Sequence, residues 1–241
     1  GVGTIFSRLT FEGPVVKNKA SFLVSGRRSY IDVLAKPLLN DDLEGSQFYF
    51  YDFTAKFNYD NGRDKFFVSS YIGDDLFFAA NAFVVKWGNS TLSARWNHIF
   101  NDKLFSNLTY YYSRYRYNLE FNIGEDLSFD WQSYINNHSL KTDFTYYLNS
   151  KNEIGFGGSS TYYIFEPGIA KAVNNLGENT FGVPNKYAME NAIYLSDDWT
   201  PNNRFTIRAG IRGSQFLYLG KSNVYTFNDP FAEGQRRFVD S

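Results

Sequence analysis

The feature that most restricts the fold is an alternation of apolar and polar residues running through Leu92 to Phe121, LSARWNHIFNDKLFSNLTYYYSRYRYNLEF. In its first arm Leu92, Ala94, Trp96 and Phe100 fall on one side, and Thr91, Ser93, Arg95 and Asn97 on the other. A period of two is what a pleated strand imposes, and a helix would spread the same residues around its circumference. The polar cluster Asn101-Asp102-Lys103 then predicts a tight turn. In the second arm Tyr115, Tyr117, Leu119, Phe121 and Ile123 alternate with Arg114, Arg116, Asn118, Glu120 and Asn122. The two arms are expected to form a hairpin with one shared oily face and one shared wet face.

Length bears on which face looks inward. The second arm covers about 20 residues, or roughly 65 Å of strand, whereas globular strands usually stay at about 3 to 10 residues. A soluble sandwich buries its oily face, and a membrane barrel turns that face to lipid and lines its bore with the polar one. A strand that crosses a bilayer and continues past it suits this length better.

Composition agrees. Aromatic residues make up 20% of the 241, with 25 Phe and 19 Tyr, while mean hydropathy is only −0.40. No apolar run is long enough for a membrane-spanning helix, the richest window being Leu76 to Val85, broken by Asn81. Half of every barrel strand is polar, so low hydropathy is compatible with a barrel, and the Tyr and Phe content suits girdles at the two interfaces. A net charge of −1 lacks the basic footprint that nucleic acid requires. There are no cysteines, hence no disulfide framework and no thiolate metal site.

Along the chain, short polar turns are predicted near Asn18, Gly62, Asp102, Lys151 and Asn202. Longer links are predicted over Ala35 to Gln47, Gly73 to Asn81, Gly124 to Asp130 and Pro167 to Lys186, and after Gly220. Short turns at one end and long loops at the other is the outer-membrane pattern. Tyr49, Tyr51, Phe53, Ala55, Phe57 and Tyr59 alternate with Asp52, Thr54, Lys56, Asn58 and Asp60. Phe205, Ile207, Ala209 and Ile211 do the same against Thr206, Arg208, Gly210, Arg212 and Ser214, as do Leu140 to Leu148 and Ile5 to Glu12. Ile154 to Phe165 sets apolar residues against Gly155, Gly157, Ser159 and Thr161, small positions that let another body approach. Ten strands are expected, as a meander of hairpins. The fold class is all-β: an antiparallel up-and-down transmembrane β-barrel, residues 1–241 forming part of one larger barrel domain.

The segments FSRLTFEGPVVKNKASFLVSGRRSYIDVLAKPLL, FYFYDFTAKFNY, RWNHIFNDKLFSN and LKTDFTYYLNSKNEIGFG carry a further likeness. From Phe6 to Asp229 the chain resembles the TonB-dependent outer-membrane receptors of Bacteroidetes-type bacteria, most distinctively at Ser25-Gly26-Arg27-Arg28-Ser29-Tyr30 and Arg95-Trp96-Asn97-His98. The resemblance implies the first half of a plugged barrel of about 22 strands, with the plug domain, TonB box and closing strands outside this segment. It implies residence in the outer membrane among its lipids. It also implies energised uptake of a scarce nutrient (siderophore, cobalamin, glycan or peptide), with the plug domain of the same full-length protein and TonB of the inner-membrane complex as partners. A passive pore or small complete barrel, and a soluble β-rich binding module, are the alternatives.

Candidate site residues follow from the alternation. Arg8, Lys56, Arg95, Lys141, Arg208 and Arg212 all fall on predicted inner faces, where confined charge needs partners from a plug or a ligand. Arg27-Arg28-Ser29-Tyr30 is read as charged lumen wall. Phe77, Phe78 and Trp131 are read as loop aromatics that pack at the girdle or stack on a ligand. Oxygen ligands in Asn40-Asp41-Asp42-Leu43-Glu44 and Gly73-Asp74-Asp75 lack calcium-loop spacing, so no metal is expected. Gly155-Phe156-Gly157-Gly158 opens no helix and cradles no phosphate. His98 and His138 fit no nucleophilic triad. Three Asn-x-Ser/Thr triplets, at Asn89, Asn107 and Asn137, fall within predicted strands and are chance matches. Neither enzyme chemistry nor a cofactor is expected.

Overall fold

The computed structural model describes residues 1–36, 45–79, 83–123, 127–174, 177–220, 226–227 and 238–240. Its strands are β1 (Phe6–Val16), β2 (Ala20–Ser29), β3 (Gln47–Asp60), β4 (Asp64–Ala79), β5 (Phe83–Ile99), β6 (Leu104–Ile123) and β7 (Leu127–Asn149). They continue with β8 (Asn152–Asn174), β9 (Gly177–Gly182), β10 (Lys186–Asn202), β11 (Phe205–Leu219), β12 (Thr226–Phe227) and β13 (Phe238–Asp240). A short helix, α1 (Ile31–Ala35), follows β2. The main sheet runs β1-β2-β3-β4-β5-β6-β7-β8-β10-β11, with β9 paired to β8, and every pairing is antiparallel. That path holds the ten expected strands, each beside its neighbour in sequence.

The short turns fall where the polar clusters predict them. Asn18 supplies a positive φ of 60° and Gly62 one of 92°. Asn101, Asn149 and Asn202 each accept backbone N–H bonds through the side-chain oxygen, the Asx geometry that reverses a chain locally. Two of the predicted long links are instead strand. β4 continues through Gly73 to Ala79, and β8 passes through Pro167 to Asn174 before β9 folds back on it. At Pro167-Gly168 the register with β7 shifts between Gln132 and Tyr134. A bulge accommodates a residue without an N–H, and Gly168 (φ 122°) closes it against the Gln132 carbonyl, where a Cβ would collide. The acidic stretch Asn40 to Glu44 lies outside the described residues.

A hydrophobic core is nearly absent. The buried apolar residues among those described are Ala20, Ala170, Ala188 and Ala192. The accessible surface is 17070 Å², against about 11,000 Å² for a compact soluble monomer of this mass. Tyr51, Phe53, Phe57 and Ile211, which a soluble sandwich would bury, are 44%, 45%, 40% and 75% exposed. The sheet presents two open faces, and their chemistry differs.

Candidate functional site: the two faces of the wall

Directly paired residues of a sheet share a face, so the registers assign every side chain. Arg8 pairs with Arg27, and Arg27 with Asp52, which puts the even residues of β3, Lys56 included, on the same face. Lys56 pairs with Ser69, Ser69 with Ser93, Ser93 with Tyr111, and Tyr111 with Ser139, which carries the face through Arg95 and Lys141. Ser139 pairs with Thr161, Thr161 with Glu190, and Tyr194 with Arg212, which brings in Arg208. All six sequence-predicted cations therefore stand on one polar face. The opposite face carries Leu9, Phe11, Phe53, Phe57, Val68, Leu92, Leu108, Leu140, Phe156, Leu195 and Ile207 as a continuous exposed band.

The cations differ in their partners. Arg208 makes two hydrogen bonds to the Asp198 carboxylate, at 2.7 and 2.5 Å, and Lys141 stands 3.0 Å from Asp143. Arg8 bonds only hydroxyls, those of Thr10 (3.1 Å) and Ser25 (3.0 Å). Among the described residues Lys56, Arg95 and Arg212 make no ion pair. Arg27, from the Arg-Arg-Ser-Tyr motif, joins this face by pairing with Asp52 at 2.5 Å, between the rings of Phe6 and Phe50. Arg28 points the other way, over Tyr49 and 3.7 Å from Asp32. Ser29 is fully buried and receives the Phe50 N–H. The motif is thus divided between two faces and does not act as one grip.

A bridge on the polar face escaped the sequence reading. The Tyr194 hydroxyl on β10 donates to Asp143 on β7, passing over Gly157 on the intervening β8. A Cβ at Gly157 would meet the Tyr194 ring, so the approaching body anticipated for the small residues of β8 is this side chain. No local sequence signal joins strands two apart.

Higher on the same face the chemistry becomes aromatic. Phe48 and Phe77 lie edge to face at 6.0 Å, Phe77 meets Phe83 at 5.4 Å, and Phe83 pairs directly with Phe121. Phe121 stacks on Phe129 at 4.6 Å, and Trp131 continues the row. Phe77 and Trp131 therefore sit on strands, not loops, and Phe78 is on the opposite face. An aromatic belt thus stands above a cationic one.

This corrects the expected hairpin. Leu92 pairs with Tyr112, Ala94 with Tyr110 and Trp96 with Leu108, whereas Tyr115 pairs with Asn89 and Tyr117 with Trp87. The oily residues of the upper part of β6 therefore share a face with Arg95, and Arg114, Arg116, Asn118 and Glu120 share one with Leu92. β7 behaves alike: Leu140 and Phe144 lie on the apolar band, Phe129 and Trp131 on the other face. Asp74 and Asp75 likewise point apart, so they cannot share a cation. Asp74 is bound by Tyr51 (3.0 Å) and, across Gly88, by Arg116 (2.7 Å).

At the lower margin of the band, Asp64 at the β3–β4 turn accepts from His98 (2.6 Å) and the Trp96 indole (2.9 Å). Those bonds, His98 first, hold its carboxyl below the usual range. Asp60, across the turn, is lowered by Lys65 and then by the Gly62 N–H. Among the described residues no group of three or more His, Asp or Glu is placed to hold a metal.

No family model and no curated protein matches the sequence. Its fold is similar to that of BauA, the ferric preacinetobactin receptor of Acinetobacter baumannii, with a TM-score of 0.64 and 10% identity over 92% of this chain and 40% of that one. It is also similar to P. aeruginosa FpvA bound to heterologous pyoverdines (TM-score 0.64, 10% identity, 90% and 36%) and to the copper transporter OprC (0.62, 9%, 88% and 37%). The chain spans about two fifths or less of each. At such identities the likeness concerns fold: a partial, antiparallel, up-and-down transmembrane β-barrel.

Proposed function

We propose that this chain is part of the barrel wall of a TonB-dependent receptor, of the Bacteroidetes type that its motifs resemble, which imports a scarce nutrient across the outer membrane. The observation that carries the reading is the sorting of side chains: one face a continuous apolar band with no core beneath it, the other holding all six predicted cations. A lipid-facing exterior and a polar bore account for both. The fold shared with a ferric-chelate receptor and a copper transporter supports the same assignment.

In this reading nutrient enters across the aromatic belt at the external mouth. Below it, Arg8, Lys56, Arg95 and Arg212 lack carboxylate partners within the described wall. Acidic groups of the plug domain of the full-length protein supply them, since confined charge is stable only when paired. The wall does no covalent chemistry; TonB, acting on the plug, supplies the energy. Uptake by cells producing the full-length protein is the test, with ferric chelates, cobalamin, glycans and peptides offered in turn. Uptake that stops when the proton gradient is collapsed supports the receptor. Uptake indifferent to the gradient makes it a passive pore and overturns the proposal.

A further inference from the structure

On β8, β10 and β11 the outward face carries a polar row in the midst of apolar residues. Ser160 pairs with Asn191 and Asn191 with Gln215, so the three side chains stand abreast. Along the same strands Phe156, Leu195 and Ile211 lie below them, and Tyr162, Met189 and Leu217 above. Across β1 to β5 a row of this face reads Phe11, Val24, Ala55, Ser70 and Leu92, with one hydroxyl and no amide. Three other polar groups of the face are matched within the wall: His138 with Tyr110 (2.9 Å), Asn136 with Glu166 (3.1 Å) and Asp197 with Asn152 (2.8 Å). Among the described residues the Asn191 and Gln215 amides make no hydrogen bond. Asn191 is the decisive one, because the strands on both sides of it are described and neither satisfies it. One level lower, Ile193 (73% exposed) projects between Gly158 and Gly213, and nothing fills the space where a side chain at Gly213 would stand. A ridge therefore lies beside a gap.

We propose that this patch seats a second copy of this chain, two barrels meeting wall to wall about a two-fold axis along the membrane normal. The occupant follows from the chemistry. Acyl chains offer no hydrogen bonds and leave both amides unsatisfied, which is costly inside a bilayer. A primary amide carries donors and an acceptor together, so Asn191 and Gln215 match the same pair presented at the same depth by a copy. A two-fold contact must fit itself, and the ridge at Ile193 beside the gap at Gly213 does so in shape as the amides do in bonding. Small residues at the contact let two backbones approach closely, as they do between membrane helices. The patch meets lipid or a neighbour only in the outward orientation on which the proposed function rests.

The test uses the full-length protein, in native outer membranes and in liposomes. With a short thiol-to-thiol cross-linker, N191C is expected to give a product of twice the monomer mass, absent from the wild type and from L92C in the band on β5. In liposomes, association is read by energy transfer between donor-labelled and acceptor-labelled copies. N191L with Q215L is expected to weaken it by about tenfold or more, and N191Q with Q215N to restore most of it. Equal association of the wild type and the double Leu variant overturns the proposal, and so does the absence of an N191C product. A product of any other mass also overturns it, since a different protein then covers the patch. Orientation is read separately from a spin label at L92C in bilayers. An oxygen-accessible, nickel-chelate-protected label together with any of those results sinks the dimer alone; a nickel-accessible label sinks the orientation itself.

Discussion

The lower and upper parts of β6 share one strand, one register and no bulge, yet their chemistry is inverted. Below Ser113, the residues on the Leu92 side are Leu108, Tyr110 and Tyr112; above it they are Arg114, Arg116, Asn118 and Glu120. Backbone geometry is continuous, so the environment must change instead. In the proposed reading lipid lies outside and a polar bore inside low on the wall; higher up water and headgroups lie outside, and the other face carries the rings from Phe48 to Trp131. The alternation marks the two faces, and on the same reading its change of phase marks where the bilayer ends.

The largest expected effects come from moving a charge across that boundary. Arginine at Leu108 or Ile207 should cost about 2 to 4 kcal/mol near the midplane, read as unfolding free energy in lipid bilayers. Arginine at Asn118, on the same face above the change of phase, should cost close to nothing, as should arginine at Thr206 on the polar side. Equal costs at Leu108 and Asn118 would erase the distinction between the halves. Ala55 and Thr54 give the same contrast within β3 alone.

Next in size are the two bridges carried over glycine, one on each face. Asp143–Gly157–Tyr194 crosses β8 toward the bore, and Asp74–Gly88–Arg116 crosses β5 toward the outside. Alanine at either glycine drives a methyl into the bridging side chains and nearby carbonyl oxygens. A cost of about 1 to 3 kcal/mol is expected from such overpacking. Tyr194→Phe, which keeps the ring and removes the donor, should relieve none of the Gly157→Ala cost. Were it to relieve most of it, the collision would lie with the hydroxyl and not with the ring and backbone.

The aromatic belt should respond more mildly. Phe121→Leu removes the stack on Phe129 while keeping most of the apolar volume, so a loss of about 0.5 to 1.5 kcal/mol is expected. The same change at Phe53, which faces the band and has no ring partner there among the described residues, should cost less. Equal losses would mean that the upper rings are merely buried, with no ring-to-ring contribution.

These contrasts also show what the sequence made legible. The strands, the five short turns and the face of each of the six cations followed from local alternation, because parity is set within a strand. The phase change within β6 is hidden from a local reading because Tyr115 to Ile123 and Leu92 to Phe100 each look oily alone. Counting parity without interruption from Leu104 would have joined Leu108, Tyr110 and Tyr112 to Arg114. The bulge at Pro167-Gly168 read as a loop because proline and glycine mark both. Asp143 with Tyr194, and Asp74 with Arg116, needed registers across two strands, which no window of residues contains.

The smallest effect belongs to the lower margin, where Asp64 ties the β3–β4 turn to His98 and Trp96. Its carboxyl is held below the usual range in the folded wall. A group lowered by folding stabilises above its unfolded value, near 3.9, and that contribution disappears as pH falls through the lower folded value. Asp64→Asn should therefore lower the unfolding temperature slightly at neutral pH, and the gap from wild type should close as the solution is acidified below about pH 4. The upper wall offers the contrast: Phe121→Leu removes a ring stack and no charged group, and its difference from wild type should stay flat across the same range. A gap for Asp64→Asn that persists at acid pH would mean that the turn is held by the shape of the side chain and not by its charge.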